Sequence, residues 1–224
     1  MSIAENTALV RENMRAAALR AGRDPAKILL VAATKMNDAD RVRQAVAAGV
    51  DICGENRVQE MLEKNAQGAY LGAPLHFIGH LQKNKVRQVV GVAELIHGAD
   101  SLELLSAIDR AALARGLRQD VLLEINIGAE SSKSGFAPED VPHILDKAAE
   151  FGSVRARGLM AIPPICASED EIHAMLALAY PDRVARRRDG GRVIGAQVGA
   201  QVGAQVGVQK SRSLRWQTRG RRPV

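Results

Sequence analysis

Lys35 is a residue whose position could give it chemistry of its own. It ends the segment Ala32-Ala33-Thr34-Lys35, directly after the apolar run at residues 28–33, where a surface lysine is unexpected. Partial desolvation at the mouth of a strand favours the neutral form of an amine, and a neutral amine can form an imine with an aldehyde. The alternative is a lysine that simply ends a strand and reaches solvent. This residue alone does not decide between the two.

Other polar or polarisable side chains follow apolar runs further along the chain. An asparagine such as Asn56 could hydrogen-bond a ring oxygen of a ligand, or it could only form a turn and cap a helix. The serine-rich segment Ser131-Ser132-Lys133-Ser134-Gly135 follows another asparagine, Asn126. Together the strand-end groups are Lys35, Glu55, Asn56, His80, His97, Asn126 and Met160.

The sequence gives less support for a metal site or for a catalytic nucleophile. His76 and His80 have the spacing of a helical metal pair, but Ile78 and Gly79 between them indicate a strand that runs into a loop. No third ligand stands at a telling distance, so we expect no metal site. The chain has no G-x-S-x-G segment, and Cys53 has no evident base partner and is expected to pack in the core.

The elements that must position these residues alternate along the chain. Apolar runs of strand length alternate with amphipathic stretches of helical period, and glycines close several of the helices. The predicted strands cover residues 28–33, 50–53, 75–78, 94–97, 120–127 and 156–162. The predicted helices cover residues 3–21, 38–48, 57–65, 82–90, 101–115 and 139–151, with Ser101 as an N-cap and Leu104 and Leu105 facing inward.

This alternation predicts an α/β fold with a parallel sheet. A doubly wound sheet and a (β/α)8 barrel both fit the alternation. The absence of any G-x-G-x-x-G turn after a strand weakens the dinucleotide-binding form of the former. Functional groups at the carboxyl ends of successive strands are typical of a barrel, which places its site there.

Composition and charge limit the class of protein. The 224 residues are 46% hydrophobic and 25% charged, which is typical of one globular domain. The sequence has no apolar run long enough to span a membrane and no signal peptide, and its two cysteines lie far apart. We therefore expect a cytoplasmic protein that makes no membrane contact.

The basic charge is concentrated near the C-terminus. Residues 181–224 hold eleven Lys and Arg against two Asp, a net +9, whereas residues 1–180 hold twenty against twenty-three acidic residues, a net −3. The unit G-A-Q-V repeats from Gly195, with a period that suits neither helix nor strand. We predict a domain at residues 1–180 and a basic, low-complexity and irregular tail at residues 181–224, which resembles the product of a shifted reading frame.

Five ordered segments resemble a known family. They match the patterns A-A-T-K, G-E-N-x-V-Q-E, H-F-I-G-x-L-Q-x-N-K, E-I-N-I-G-x-E-x-S-K-S-G and G-L-M-A-I-P. In this order they resemble the pyridoxal phosphate homeostasis proteins, single-domain relatives of the alanine racemase N-terminal barrel. The resemblance covers roughly residues 5–180.

The resemblance implies a (β/α)8 TIM-type barrel that holds pyridoxal 5'-phosphate as an imine on Lys35. The implied function is homeostasis of the intracellular cofactor pool without catalytic turnover. Apart from the resemblance, we predict a monomer and, as recipients of the cofactor, apo pyridoxal phosphate-dependent enzymes. Lys133 would lie near the entrance as a second amine able to accept or pass on the aldehyde. The other residues that would line the pocket are Asn56, His76, Ile78, Gly79, Asn126 and Met160.

The chain also departs from the family pattern. His80 stands where the family usually has proline or another small residue, which makes the rim more polar. The Ser-Met-Gly-Met-Ser-type loop and the Arg-Ile-Gly turn, with which the last two strands of the family bind the phosphate, have no match in residues 181–224. We therefore expect a barrel that is incomplete after the sixth strand, with a weakened phosphate site.

Three other interpretations stay open at this point. A true pyridoxal phosphate enzyme such as an amino-acid racemase needs a second acid or base on the opposite face of the cofactor, and this short chain offers only Tyr70 and Tyr180. The arginine-rich tail could bind RNA non-specifically, although its repeat favours an accidental sequence. The chain could also be a non-functional product of a damaged gene.

Overall fold

The computed structural model describes residues 1–128 and 134–162. Within these ranges, six parallel strands form one sheet in the order β1-β2-β3-β4-β5-β6, so each strand pairs with the next one along the chain. A doubly wound sheet would reverse this order at a switch point. The consecutive order is that of a (β/α)8 barrel, of which residues 1–128 and 134–162 form six strands, and the predicted fold class is confirmed.

The strands are short and the helices between them return the chain to the start of the sheet. The strands are β1 Val31–Ala33, β2 Ile52–Glu55, β3 Leu75–Phe77, β4 Leu95–Ala99, β5 Gln119–Glu124 and β6 Val154–Met160. The helices are α1 Ile3–Arg20, α2 Ala39–Ala47, α3 Val58–Ala66, α4 Val86–Val89, α5 Leu102–Leu113 and α6 Val141–Ala149. None of these described helices is both long and apolar enough to cross a membrane.

Local signals in the sequence set several helix starts. Ser2 and Glu5 form a reciprocal capping box at the start of α1, and the Asp38 carboxylate accepts a hydrogen bond from the Arg41 N–H at the start of α2. Ser101 caps α5 by accepting from the Leu104 N–H, as the sequence predicts. Leu104 and Leu105 are almost completely buried, and each such side chain contributes roughly 1.5–3 kcal/mol through the hydrophobic effect.

Side chains alternate between the two faces of the sheet. One face packs against the helices, and its residues form the main core with helix residues such as Met61 and Leu105. The opposite face, which we call the inner face, carries a separate small cluster of Leu95, Leu122 and Met160. This alternation brings every second residue of a strand to the inner face, where a barrel builds its site.

Some predicted boundaries are wrong. The strand predicted at residues 28–33 begins only at Val31, because the Leu30 N–H donates to the Asp51 carboxylate instead of to a neighbouring strand. The single helix predicted at residues 82–90 is a 3-10 turn at Lys83–Lys85 followed by the short α4. The predicted tail at residues 181–224 lies outside the described residues.

Candidate functional site

A cavity of about 270 Å³ lies at the carboxyl ends of the strands. This volume is close to the lower end of the range for pockets that hold small molecules, roughly 300–1,000 Å³. Residues that follow or end β2, β3, β5 and β6 line it, so several different strands contribute to one site. The lining residues are Asn56, Ile78, Gly79, His80, Glu124, Ile125, Asn126, Ser134, Met160 and Ile162.

Gly79 and Asn56 are packed backbone against backbone at one side of the cavity. A Cβ atom at Gly79 would overlap with the carbonyl oxygen and the Cα of Asn56, so only glycine fits here. The Asn56 side chain carries a buried Oδ1 atom that has no hydrogen-bond partner among the described residues. An unpaired buried oxygen is costly, and it therefore marks a place where a ligand could donate a hydrogen bond.

A group of titratable side chains also lies at the cavity. Burial, and then the negative charge of Asp100, raise the pKa of the Glu124 carboxyl to about 7, while the His80 imidazole acts in the opposite direction. His80 Nδ1 lies 3.0 Å from Asp100 Oδ2, and the Asp100 side chain is only 9% exposed. Glu124 therefore exchanges a proton near neutral pH, which makes it a candidate proton donor or acceptor.

His76 and His97 lie next to each other on the inner face of the sheet. Nδ1 of His76 is 2.9 Å from Nε2 of His97, so one ring donates a hydrogen bond and the other accepts it. Burial lowers the pKa of His76 to about 4 and, together with the neighbouring His76, that of His97 to about 3. Both rings are neutral at pH 7 and act as polar packing beneath the strand ends.

Lys35 lies in a turn directly after β1, the strand next to β2, and its side chain is half-buried. The Asn37 N–H donates to the Thr34 carbonyl, which closes a four-residue turn, and the Asn37 side-chain amide donates to the Lys35 carbonyl. Lys35 is not among the residues that line the cavity. Its flexible four-carbon side chain starts at the adjacent strand end.

A buried polar network beneath this turn was not predicted from the sequence. Glu55 is completely buried, and its Oε1 accepts hydrogen bonds from Thr34 Oγ1, Lys64 Nζ and the Tyr70 hydroxyl at 2.7–3.0 Å. Burial and the charge of Glu55 raise the pKa of Tyr70 above its ordinary value, so Tyr70 stays protonated. Glu55 thus faces the helix layer, although the sequence placed it among the strand-end groups of the site.

The structure places the other predicted residues as follows. Asn56, Ile78, Gly79, Asn126 and Met160 line one cavity, whereas His76 contacts His97 and does not line it. Lys133 lies outside the described residues. The sequence interpretation missed Glu124, although it stands two residues before Asn126, and the period of a strand puts both on the same face.

Neither a reactive thiol nor a metal site emerges from the described part of the chain. Cys53 is fully buried, as the sequence predicts, and burial, followed by the charge of Glu55, raises the pKa of its thiol to about 11. A thiol with such a pKa is a poor nucleophile. Residues 1–128 and 134–162 contain no group of three or more His, Cys, Asp or Glu that could hold a metal ion.

Comparison with known proteins identifies relatives of this chain. The family model for the alanine racemase N-terminal domain matches residues 6–187. A pyridoxal phosphate homeostasis protein from Pseudomonas aeruginosa is 41% identical over 176 residues, which cover 79% of this chain and 76% of the relative. A protein of the same name from Aquifex aeolicus is 36% identical over 172 residues, with 77% and 75% covered.

Two solved structures are also similar to this chain. PipY from Synechococcus elongatus, solved with pyridoxal phosphate bound, has a TM-score of 0.64 and 33% sequence identity, and the match covers 80% of this chain and 79% of PipY. Alanine racemase from Clostridium difficile has a TM-score of 0.62 at 14% identity and shares the fold. That match covers 77% of this chain but only 48% of the racemase.

Proposed function

We propose that this chain, which belongs to the pyridoxal phosphate homeostasis proteins of the alanine racemase N-terminal domain family, binds pyridoxal 5'-phosphate through Lys35. The observation that carries the proposal is the cavity at the strand ends, next to the strand end that bears Lys35. In this role the chain holds and releases the cofactor and so takes part in its intracellular homeostasis. A cytoplasmic location and a monomeric state stay predictions from the sequence.

The described residues fit such a ligand. The aromatic ring needs apolar walls, and Ile78, Met160 and Ile162 provide them. A polar ring substituent needs hydrogen-bonding groups, and Asn56 offers its unpaired Oδ1 and its amide group. The mixture of apolar walls with a few convergent polar groups is typical of small-molecule sites.

The cofactor supplies an aldehyde that condenses with a primary amine, and the protein supplies the amine, the orientation and the electrostatics. Lys35 provides the amine from a turn that several hydrogen bonds hold. The apolar walls exclude water from the ring, and Glu124 can hold or release a proton at its carboxyl group near pH 7. His76 hydrogen-bonds to His97 and is not among the residues that line the cavity.

We further propose that the chain is a carrier and not a catalyst. A racemase of this fold needs a second acid or base on the opposite face of the ligand, and the described tyrosine, Tyr70, is buried in the Glu55 network. The recipients would be apo pyridoxal phosphate-dependent enzymes, and Lys133 would serve as a second amine that accepts or passes on the aldehyde. A chiral assay for the racemisation of L-alanine by the loaded protein is expected to show no turnover, and measurable turnover would contradict the carrier role.

An absorbance titration tests the proposal. Addition of pyridoxal phosphate to the purified protein is expected to produce the visible band of a lysine-bound cofactor. Lys35→Ala removes the amine and should abolish this band without a change in the far-ultraviolet circular dichroism. The matched control is Lys27→Ala, which removes an exposed lysine from the same part of the chain and should leave the band unchanged. Equal bands in all three proteins would contradict the assignment of Lys35.

A further inference from the structure

The turn that carries Lys35 contains a backbone conformation that its sequence does not favour. Met36 has a φ of 60°, and it is the one non-glycine residue with a positive φ in the described parts of the chain. It occupies the third position of the turn from Thr34 to Asn37, where a positive φ is typical of a type II turn and usually requires glycine. The Met36 side chain is 82% exposed, so side-chain packing does not hold this conformation.

Two side chains of α3 hold the turn from below. Glu60 Oε2 accepts a hydrogen bond of 2.8 Å from the Met36 N–H. Lys64 Nζ donates to the Thr34 carbonyl at 2.9 Å and to Glu60 Oε2 at 3.2 Å. The backbone groups on both sides of Lys35 are therefore attached to one helix.

This attachment is itself well anchored. Lys64 is buried, and its ammonium group also donates to Glu55 Oε1 at 2.8 Å, so a charge that is costly to bury has three acceptors. Burial of Glu60 opposes its ionisation, but the hydrogen bonds from Met36 and Lys64 and the Lys64 charge together lower the pKa of the Glu60 carboxyl. Glu60 is therefore a charged acceptor at neutral pH, and charged acceptors form the stronger hydrogen bonds.

We propose that Glu60 and Lys64 are positioning residues, which fix the backbone around Lys35 so that less backbone freedom is lost when its amine binds a ligand in the cavity. The inference rests on the proposed attachment of pyridoxal phosphate to Lys35. A residue that is held before the ligand arrives loses less conformational freedom when the ligand binds. Without Glu60, Met36 would relax to negative φ, and the turn would populate conformations in which Lys35 is displaced.

Hydrogen exchange of the ligand-free protein tests the attachment itself. The Met36 amide should be protected in the wild type and should exchange at least tenfold faster in Glu60→Ala. The matched control is Glu63→Ala, which removes an exposed carboxylate from the same helix and should leave Met36 protected. Equal exchange in the wild type and Glu60→Ala would overturn the inference whether or not the cofactor binds.

Ligand titration then tests the consequence. Glu60→Ala should weaken the binding of pyridoxal phosphate about tenfold, as read from the visible band at a temperature where circular dichroism shows that the variant is folded. Glu60→Gln keeps an acceptor oxygen and should lose less affinity. Met36→Gly in the Glu60→Ala background should recover about threefold, since glycine adopts positive φ without steric cost.

The two proposals fail in different ways. If the wild type forms no visible band, the proposed function fails. If the wild type forms the band and Glu60→Ala binds equally well, or if Met36→Gly recovers nothing, the positioning role fails while the proposed function stands.

Discussion

Glu124 is a titratable residue that belongs both to the inner face of the sheet and to the lining of the cavity. It ends β5 on the inner face and lines the cavity, with the charge of Asp100 and the imidazole of His80 near it. The His80 imidazole contacts the Asp100 carboxylate at 3.0 Å. The ionisation state of the Glu124 carboxyl group therefore determines whether the cavity carries a negative charge at this position.

The raised pKa of Glu124 gives a pH-dependent prediction. In the folded protein this carboxyl keeps its proton up to about pH 7, whereas its ordinary pKa is 4.5. Between these values the folded state binds more protons than the unfolded state, so the free energy of unfolding falls as pH rises. The Glu124→Gln variant has no titrating group at this position, so its free energy of unfolding does not fall in this way. It should therefore be more stable than the wild type above pH 7, but not near pH 5.

Thermal unfolding at about pH 5 and about pH 8 measures the effect. After allowance for the partial solvent access of the carboxyl, we expect Glu124→Gln to gain ~1 kcal/mol, or about 2–4 °C, between the two conditions. Glu94→Gln, which changes an exposed carboxylate at the start of β4, is the control. A gain of the same size at both values of pH would show that the carboxyl does not titrate near neutrality.

At the scale of the elements, the segment after β3 depends on close packing of one loop against the end of β2. Gly79 is buried and touches the Asn56 backbone, and a Cβ atom there would meet backbone atoms that cannot move aside. The close approach aligns Ile78 and Asn56 along the same wall of the cavity. The loop after β3 therefore takes part in forming the site and in the stability of the sheet.

Gly79→Ala is expected to destabilise the protein by about 2–3 kcal/mol, because overpacking of a filled site forces the backbone to shift. Gly152→Ala is the matched control, since Gly152 is exposed and a Cβ atom there has open space. Urea denaturation should show a lower midpoint for the first variant, and a change within ~0.5 kcal/mol for the second. Equal midpoints for Gly79→Ala and the wild type would contradict the close approach.

The sequence predicts the order of the elements because local patterns carry it. Short apolar runs bounded by glycine and charged residues indicate the strands, and Ser101 marks the start of α5. The sequence cannot show that Leu30 pairs with the Asp51 side chain, because that contact depends on packing between distant segments. For the same reason it does not reveal that Lys64 is buried beneath Thr34, since Lys64 has the sequence context of a solvated helix residue.

The residues of the site also divide into those that sequence motifs predict and those that depend on packing between distant segments. Asn56, Ile78, Gly79, Asn126 and Met160 were expected at one pocket from motifs, and they line one cavity. The alternation of side chains along a strand predicts that Glu124 shares a face with Asn126. However, Glu124 stands in an apolar run that indicates a buried strand. The attachment of the Lys35 turn to α3 depends on a positive φ at Met36, which no sequence rule predicts for methionine.

At the scale of the whole molecule, the resemblance to the family implies that phosphate recognition differs in this chain. The two phosphate-binding motifs of the family have no match in residues 181–224. Each charge-assisted hydrogen bond to a phosphate contributes roughly 1.5–3 kcal/mol, so the loss of two costs about 3–6 kcal/mol, or about two to four decades in affinity. The attachment of the aldehyde to Lys35 does not require these hydrogen bonds.

We therefore expect pyridoxal phosphate to bind weakly and unphosphorylated pyridoxal to bind nearly as well. Titration of both aldehydes above roughly 0.2 M salt removes the non-specific attraction of the arginine-rich segment. Similar dissociation constants are the expected result. A preference of about a hundredfold or more for the phosphorylated form, equivalent to about 2.7 kcal/mol, would show that the chain has a phosphate site of another kind.

Chemical trapping identifies the lysine that carries pyridoxal phosphate. The wild-type protein is mixed with pyridoxal phosphate, reduced with borohydride and digested, and the modified peptide is identified by mass spectrometry. We expect one predominant adduct, on the peptide that contains Lys35. A predominant adduct on Lys85 or Lys133, or adducts spread over the exposed lysines in proportion to their accessibility, would contradict it.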